Sequence, residues 1–108
     1  MSVGKERVAE IIETIKGIGK FKEKIGVEKA ILFGSYARGD FKKYSDVDLI
    51  LVGKKFKGKN FIKRYDGLWL KWDLDKPVDF ICYSPEEFEK EKRRVSIVST
   101  ALKEGIVI

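Results

Sequence analysis

Three aspartates in this sequence have a spacing that could support chemistry. Asp46 and Asp48 stand two positions apart at the start of an apolar run, SDVDLILV, and Asp79 stands near the start of another, VDFICY. Because side chains alternate across a strand, Asp46 and Asp48 are predicted to point to the same face. Two carboxylates that close repel each other, and burial increases the repulsion. A divalent cation between them would remove this conflict.

The predicted cation is magnesium, which prefers oxygen ligands, keeps several waters and accepts substrate phosphates as further ligands. If the strands that carry Asp48 and Asp79 are neighbours, Asp79 joins the pair at the same edge of the sheet. Three carboxylates around two Mg²⁺ ions, with Mn²⁺ as the alternative ion, suit two-metal phosphoryl or nucleotidyl transfer. Each pattern also has an ordinary interpretation, because a bare D-x-D is often an exposed loop and a lone aspartate at a strand start is usually a turn residue.

A glycine-serine turn could supply the phosphate-binding half of the site. Gly34 would let the backbone approach a phosphate closely, and Ser35 would add a hydroxyl and an amide N–H. A helix that begins there would favour an anion at its N-terminus. Arg38 would either reach the same phosphates or brace the loop. The alternatives are a plain turn and a surface arginine, and the absence of G-x-x-x-x-G-K-[ST] excludes a Walker-type site.

The composition excludes several other chemistries. The 108 residues contain no histidine, so a Ser-His-Asp triad, a Cys-His pair and a histidine-based zinc site are ruled out. One cysteine, Cys82, cannot form an internal disulfide, and we expect a cytoplasmic protein without a membrane span. The net charge of +6 suits anionic partners, but it equally suits the lysine- and glutamate-rich surface typical of thermophiles.

Helical and strand patterns alternate along the chain and predict an α/β fold with one sheet flanked by helices. The predicted helices cover residues 5–24, 35–38, 60–72, 84–94 and 96–103, and the predicted strands cover residues 27–33, 46–52, 78–83 and 106–108. Because no repeat or linker interrupts the pattern, residues 1–108 are predicted to form one domain.

Three weaker signals keep more than one interpretation. Residues 54–64 contain six basic residues and no acid, which suits RNA or an acidic partner, a solvated loop, or contacts to a triphosphate. Tyr36, beside the Gly-Ser turn, either stacks on a nucleotide base or packs in the core. An aromatic stripe is predicted to be core, with a dimer or partner surface as the alternative. Its members are Tyr65, Leu68, Trp69 and Trp72.

Taken together, GSYARG, SDVDLILV and VDFICY resemble the minimal, MNT-type nucleotidyltransferases of the DNA polymerase β-like nucleotidyltransferase superfamily. The family pattern is a G-S turn, a D-x-D about a dozen residues later and a third acid on a later strand. The matching positions are Gly34, Ser35, Asp46, Asp48 and Asp79. The resemblance covers residues 25–90 by motif and implies a single mixed β-sheet flanked by helices.

The resemblance also implies an activity. An Mg²⁺-dependent enzyme of this family would move a nucleoside monophosphate, most often AMP from ATP, to a hydroxyl acceptor and release pyrophosphate. Asp46, Asp48 and Asp79 would bind metal, and Asp79 would help to activate the acceptor. Gly34 and Ser35 would hold the triphosphate.

The family further implies a partner. Many MNT-type proteins are encoded beside a HEPN-domain protein, a helical RNase toxin, and act as its antitoxin, in some cases by adding AMP to a tyrosine. A HEPN partner is therefore implied here. The alternatives are a non-catalytic module that neutralises its partner by occlusion, or a nucleotide- or RNA-binding protein, and a homo-oligomer also stays open.

Overall fold

A four-stranded mixed sheet with helices on both faces forms the centre of the fold. The computed structural model describes residues 2–108, with side chains from residue 4 onward. The helices are α1 (Ser2–Ile25), α2 (Ser35–Arg38), α3 (Phe61–Arg64), α4 (Leu68–Lys71), α5 (Pro85–Lys92) and α6 (Ile97–Glu104). The strands are β1 (Lys29–Phe33), β2 (Val47–Val52), β3 (Val78–Tyr83) and β4 (Ile106–Val107).

The strand order is β3-β2-β1-β4, with β2 parallel to β3 and with β1 antiparallel to both β2 and β4. The prediction of a single mixed sheet flanked by helices is therefore confirmed. No helix in the described chain combines the length and the apolar character needed to cross a bilayer.

The central strand β2 is buried on both faces, which explains its nearly continuous apolar sequence. Val47, Leu49 and Leu51 face the larger core, which α1 covers with Ile18, Phe21 and Ile25. The alternate residues Ile50 and Val52 face the smaller core, which α5 and α6 cover with Phe88, Val98 and Ala101. Because side chains alternate along a strand, the Asp48 side chain lies on the α5–α6 face of the sheet, as do those of Ile50 and Val52.

The single helix predicted over residues 60–72 is wrong. The segment forms two four-residue helices, α3 and α4, and the chain turns between them at Gly67, whose φ is 78°. Asn60 caps α3, because its side-chain oxygen accepts from the Lys63 N–H at 2.9 Å. The break follows from the position of the segment, which runs along the outer edge of β3.

Two side chains of this segment cover that edge. The Tyr65 hydroxyl donates to the Phe80 carbonyl at 2.7 Å, and the Arg64 guanidinium donates to the Cys82 carbonyl at 3.0 Å. Unpaired carbonyls on an edge strand would otherwise offer a template for another chain. The segment therefore protects β3 while it connects β2 to β3.

The helix α5 begins with a capping box in which Ser84 and Glu87 bond each other's backbone N–H groups. Pro85 occupies the first helical position, where its missing N–H leaves no hydrogen bond unmade. Glu87 also receives two hydrogen bonds from Arg64, at 2.6 and 3.0 Å, and only 5% of the Arg64 side chain is exposed. One carboxylate thus joins the start of α5 to α3.

Candidate active site

Asp48 and Asp79 lie side by side on neighbouring strands. In the parallel pair of β2 and β3, Asp48 is the register partner of Asp79, and across the antiparallel pair it is the partner of Phe33. Adjacent strands are about 4.8 Å apart, and register partners project to the same face of a sheet. The sequence-based expectation that these two acids meet at one edge of the sheet therefore agrees with the strand order and register.

Asp46 lies one residue before β2 and is exposed, as is Asp79, whereas Asp48 is partly buried. The pKa of Asp48 is raised by burial first, then by the charges of Asp79 and Asp46, and it is lowered by Arg38. The three acids thus share one electrostatic environment, with Asp48 at its centre. Within residues 2–108, no three acidic or cysteine side chains converge closely enough to enclose a metal ion as they stand.

Gly34 packs directly against Asp48 and has a backbone conformation that requires glycine. Its φ is 74° and its ψ is −152°, a combination that side-chain-bearing residues avoid. A Cβ atom at this position would overlap the Asp48 carboxylate oxygen Oδ2. The turn between β1 and α2 therefore approaches the acid as closely as a backbone can.

We expect Gly34→Ala to disturb the site through Asp48, because the new methyl group would displace the carboxylate as well as strain the backbone by about 1–3 kcal/mol. Gly67→Ala is the matched control, since Gly67 also has a positive φ but its Cβ would meet no neighbouring atom within 4 Å. Both variants should lose stability in thermal unfolding, but only Gly34→Ala should also lose Mg²⁺-dependent stabilisation. Equal Mg²⁺ responses in the two variants would contradict the contact.

Ser35 and Arg38 lie on the short helix α2 that follows this glycine. Ser35 is partly buried, and its carbonyl closes the helix by accepting from the N–H groups of Gly39 and Asp40. The Arg38 guanidinium pairs with Asp40 at 3.2 Å and with Glu104 at 3.8 Å. Because its charge also lowers the pKa of Asp48, Arg38 lies near the acids while Asp40 braces it.

A clamp of aromatic and cationic side chains holds the loop that leads into β2. Tyr36 is buried and stacks on Phe41, with ring centroids 4.3 Å apart and planes 7° from parallel. The Arg7 guanidinium lies 5.1 Å from the Phe41 centroid, and the Lys76 ammonium lies 5.4 Å from the Tyr36 centroid. Tyr36 therefore packs in the core, which is one of its two predicted roles. The other prediction, that Tyr36 stacks on a nucleotide base, is wrong because the ring is buried.

The clamp connects α1 to both strands that carry acids. Arg7 donates to the carbonyls of Gly39 and Phe41 before β2, and Lys76, just before β3, pairs with Glu10 of α1 at 3.3 Å. A cavity of about 370 Å³ lies between α1 and these two loops. The sequence patterns missed Arg7 and Lys76, because a contact between a cation and a distant aromatic ring leaves no local signal.

The basic run of residues 54–64 lies at the opposite end of the sheet from the aspartates. It begins after β2 ends at Val52, four positions and roughly 13 Å along the strand from Asp48. Lys57 then pairs with Glu86 at 3.5 Å, at the start of α5. The run therefore begins away from the aspartates, and its contact with the triphosphate stays a prediction. Arg64 of the run is a buried structural residue.

The aromatic stripe is mostly core, as predicted. Leu68 is buried, and the Tyr65 hydroxyl donates a hydrogen bond to a carbonyl of β3. Trp72 packs edge-on against Phe21, with ring centroids 5.2 Å apart. Trp69 is the exception, since its ring centroid lies 4.7 Å from that of Phe80 but 52% of the residue stays exposed. Cys82 is buried as expected, and burial raises the pKa of its thiol to about 12.

A mixed sheet sets paired aspartates beside a glycine turn, and this is the arrangement that the resemblance to nucleotidyltransferases implies. The crystal structure of a putative nucleotidyltransferase from Sulfolobus solfataricus is similar, with a TM-score of 0.63 over 99% of this chain and 86% of that chain. At 20% identity this likeness establishes the fold alone. Residues 12–108 match the nucleotidyltransferase domain family, and the chain belongs to that family.

Two proteins of Methanocaldococcus jannaschii, each named a putative protein adenylyltransferase, are similar in sequence. One is 39% identical over 74 residues, which span 60% of this chain and 73% of the relative. The other is 44% identical over 46 residues, which span 43% of this chain and 42% of that relative. Together with the family match, they support transfer of a nucleoside monophosphate as the general reaction.

The residues at the site fit a hard divalent cation. The available donors are carboxylate oxygens, which Mg²⁺ prefers, and the raised pKa of Asp48 reflects burial and uncompensated negative charge from Asp79 and Asp46. A cation placed among these groups would reverse the repulsion. The donor chemistry and the electrostatics therefore both suit a metal.

We expect Mg²⁺ or Mn²⁺ to stabilise the folded chain in thermal unfolding, since a ligand that binds only the native state raises its stability. At a metal concentration about 100 times its Kd the gain would be about 2.7 kcal/mol. Asp48→Asn should abolish the response, whereas Asp66→Asn, at an exposed acid on the α3–α4 turn, should keep it. An unchanged response in Asp48→Asn would place the metal elsewhere.

Proposed function

We propose that this chain transfers AMP from ATP to a hydroxyl group of a protein, in an Mg²⁺-dependent reaction, and that the acceptor is a HEPN-type toxin partner. The observation that carries the proposal is the register pairing of Asp48 with Asp79 directly beside Gly34. The names of the two similar proteins support a protein acceptor. The HEPN partner rests on the family resemblance of the motifs.

In this proposal the acids divide the work according to their positions. Asp46, Asp48 and Asp79 would hold the metal, which would supply positive charge at the triphosphate and at the attacking oxygen. Asp79, exposed on the edge strand, has a carboxylate oxygen that takes the proton of the acceptor hydroxyl. The acceptor oxygen then bonds to the α-phosphorus, the bond from the α-phosphorus to the bridging oxygen breaks, and pyrophosphate leaves.

The Gly34 turn and α2 position the triphosphate in the proposal. The absent Cβ of Gly34 lets the turn lie directly against the Asp48 carboxylate, so that phosphates held by this turn would lie beside a metal bound by Asp48. The Ser35 hydroxyl and the braced guanidinium of Arg38 are the polar groups nearest along the chain. Their role is to bind and orient the phosphates.

The experiment combines the chain with the product of the neighbouring gene, Mg²⁺ and ATP that is radiolabelled at the α-phosphorus. We expect label on the partner with the wild-type chain and none with Asp48→Asn. A wild-type chain that labels neither this partner nor any protein of a cell extract would overturn the proposal.

The second candidate is neutralisation of the partner by occlusion. Exposed apolar side chains on α3 and α4 favour it, because Ile62 and Leu70 are 82% and 92% exposed. The double variant Asp46→Asn/Asp48→Asn separates the candidates. Cells that survive the toxin with this variant at native expression would indicate occlusion, whereas loss of protection with retained binding would indicate transfer.

A further inference from the structure

We propose that a surface of five lysines, at the end of the sheet opposite the aspartates, binds single-stranded nucleic acid. This lysine surface consists of Lys54, Lys55, Lys59, Lys63 and Lys71. The surface begins at that end of the sheet, because the chain reaches Lys54 only after β2 has carried the backbone across the sheet, and α3 and α4 then continue it along the outer edge of β3. The proposal does not depend on which acceptor receives the nucleotide.

The charges of this surface are not compensated within the chain. In the part that the structure describes, none of the five ammonium groups has a carboxylate within the 4.0 Å of an ion pair. The two remaining cations of the same segment differ, since Lys57 pairs with Glu86 and Arg64 with Glu87. The surface therefore presents an excess of positive charge to any approaching polyanion.

The lysines are close enough to affect one another. The pKa of Lys55 is lowered by burial first and then by the charges of Lys71 and Lys59. This places Lys71 of α4 beside lysines of the loop that follows β2. Bound phosphates would relieve this repulsion, because each would neutralise part of the crowded charge.

The backbone that displays the lysines is held in place. Phe56 is 1% exposed, the Lys54 N–H donates to Glu28 Oε1 at 2.7 Å, and the Lys55 ammonium donates to the Ile25 carbonyl at 2.6 Å. Asn60 caps the helix that carries Lys63. The surface is therefore preorganised, so less conformational entropy is lost on binding than for a flexible basic tail.

The chemistry of the surface favours nucleic acid over an acidic protein. Its cations are all lysines, which bind phosphates as point charges. The only arginine of the segment, Arg64, is turned inward. Beside the lysines, Phe61 keeps 58% of its surface exposed, with Arg64 over its ring at 4.7 Å, and an exposed ring can stack on an unpaired base.

The test measures binding of a fluorescein-labelled oligouridylate by anisotropy across a series of salt concentrations. Lys59→Gln/Lys63→Gln should weaken binding about tenfold at low salt and should lower the slope of log K against log salt by about 1.4, or 0.7 for each lost phosphate contact. The matched control Lys16→Gln/Lys103→Gln removes two exposed lysines elsewhere and should leave both values unchanged. Asp48→Asn should bind the oligonucleotide as the wild type does.

Loss of binding in Asp48→Asn would overturn the proposal, and so would four other outcomes. They are the absence of binding at low salt, equal weakening in the two double variants, equally tight binding of a duplex of the same length, and displacement of the oligonucleotide by an equal charge of polyglutamate. The last outcome would identify an acidic protein as the partner. Loss of binding in Asp48→Asn would place the oligonucleotide at the nucleotidyl-transfer site.

Discussion

Asp48→Asn is expected to lower kcat/KM for nucleotidyl transfer about a thousandfold or more. Asp48 is the acid that Gly34 contacts, that pairs in register with Asp79, and that Asp46 and Arg38 influence by charge. An amide keeps the size of the side chain but removes the charge that a metal needs. Steady-state rates with saturating Mg²⁺ and ATP provide the measurement.

The same variant should not unfold the chain, and this separates a catalytic effect from a structural one. Because folding raises the pKa of Asp48, its ionised form opposes the native state, and without metal this cost grows as the pH rises through that pKa. The metal-free Asp48→Asn chain should therefore melt no lower than the wild type at neutral pH. A variant that melts much lower, or one that retains wild-type kcat/KM, would contradict the role assigned to Asp48.

Arg64→Met is expected to lower the free energy of unfolding by about 3 kcal/mol. Arg64 is buried and makes four hydrogen bonds, two to Glu87 and one each to the carbonyls of Lys59 and Cys82. Methionine fills similar volume but leaves these acceptors without a donor. The value lies at the low end for a broken buried pair because 38% of the Glu87 side chain remains in water.

Denaturant unfolding measures this loss, and Arg94→Met is its control. Arg94 pairs with Glu91 at 3.4 Å but is 63% exposed, so its removal should cost only about 0.5 kcal/mol.

The pKa of Glu87 is lowered, chiefly by its hydrogen bond from Arg64. The pair therefore stabilises the fold above the ordinary glutamate pKa of 4.5, and this contribution is lost as the pH falls through the lowered value. Equal acid sensitivity in wild type and Arg64→Met would contradict this assignment.

Much of the fold could be predicted because local patterns and long-range packing agree. The strand predicted over residues 78–83 has these same bounds, and the strand predicted over 46–52 begins one residue later, at Val47. Both are apolar runs, with β2 buried on both faces and β3 on one, so their sequence signal is strong. The capping residues Ser84 and Asn60 were also predictable, since a cap acts within one turn of its helix.

The predictions that failed concern where an element lies in space. The apolar spacing of residues 60–72 fits one helix, but the chain must turn at Gly67 so that Tyr65 and Arg64 can reach the carbonyls of β3. Periodicity reports which face is apolar and contains no information about this edge. Contact of the basic run with the triphosphate was one of three interpretations, and the run begins at the far end of β2 from Asp48, because the strand carries the chain across the sheet.

The acids of the candidate site were predictable from the sequence, but the side chains that hold the neighbouring loops in place were not. Once β2 and β3 are neighbours, Asp48 can pair in register with Asp79, and the alternation of side chains then places both carboxylates on the same face of the sheet. The clamp of Tyr36, Phe41, Arg7 and Lys76 joins residues far apart in sequence, and no local pattern links them. The roles of the acids in metal binding and transfer stay predictions that the proposed variants test.

If the acids of β2 and β3 direct transfer of a nucleoside monophosphate, the position of the transferred label reveals it. The wild-type chain and its acceptor are incubated with Mg²⁺ and ATP that carries the label at either the α- or the γ-phosphorus. We predict that α-label appears on the acceptor, that γ-label leaves as pyrophosphate, and that Asp48→Asn transfers neither. Transfer of γ-label, or transfer of α-label by Asp48→Asn at the wild-type rate, would contradict this role of the acids.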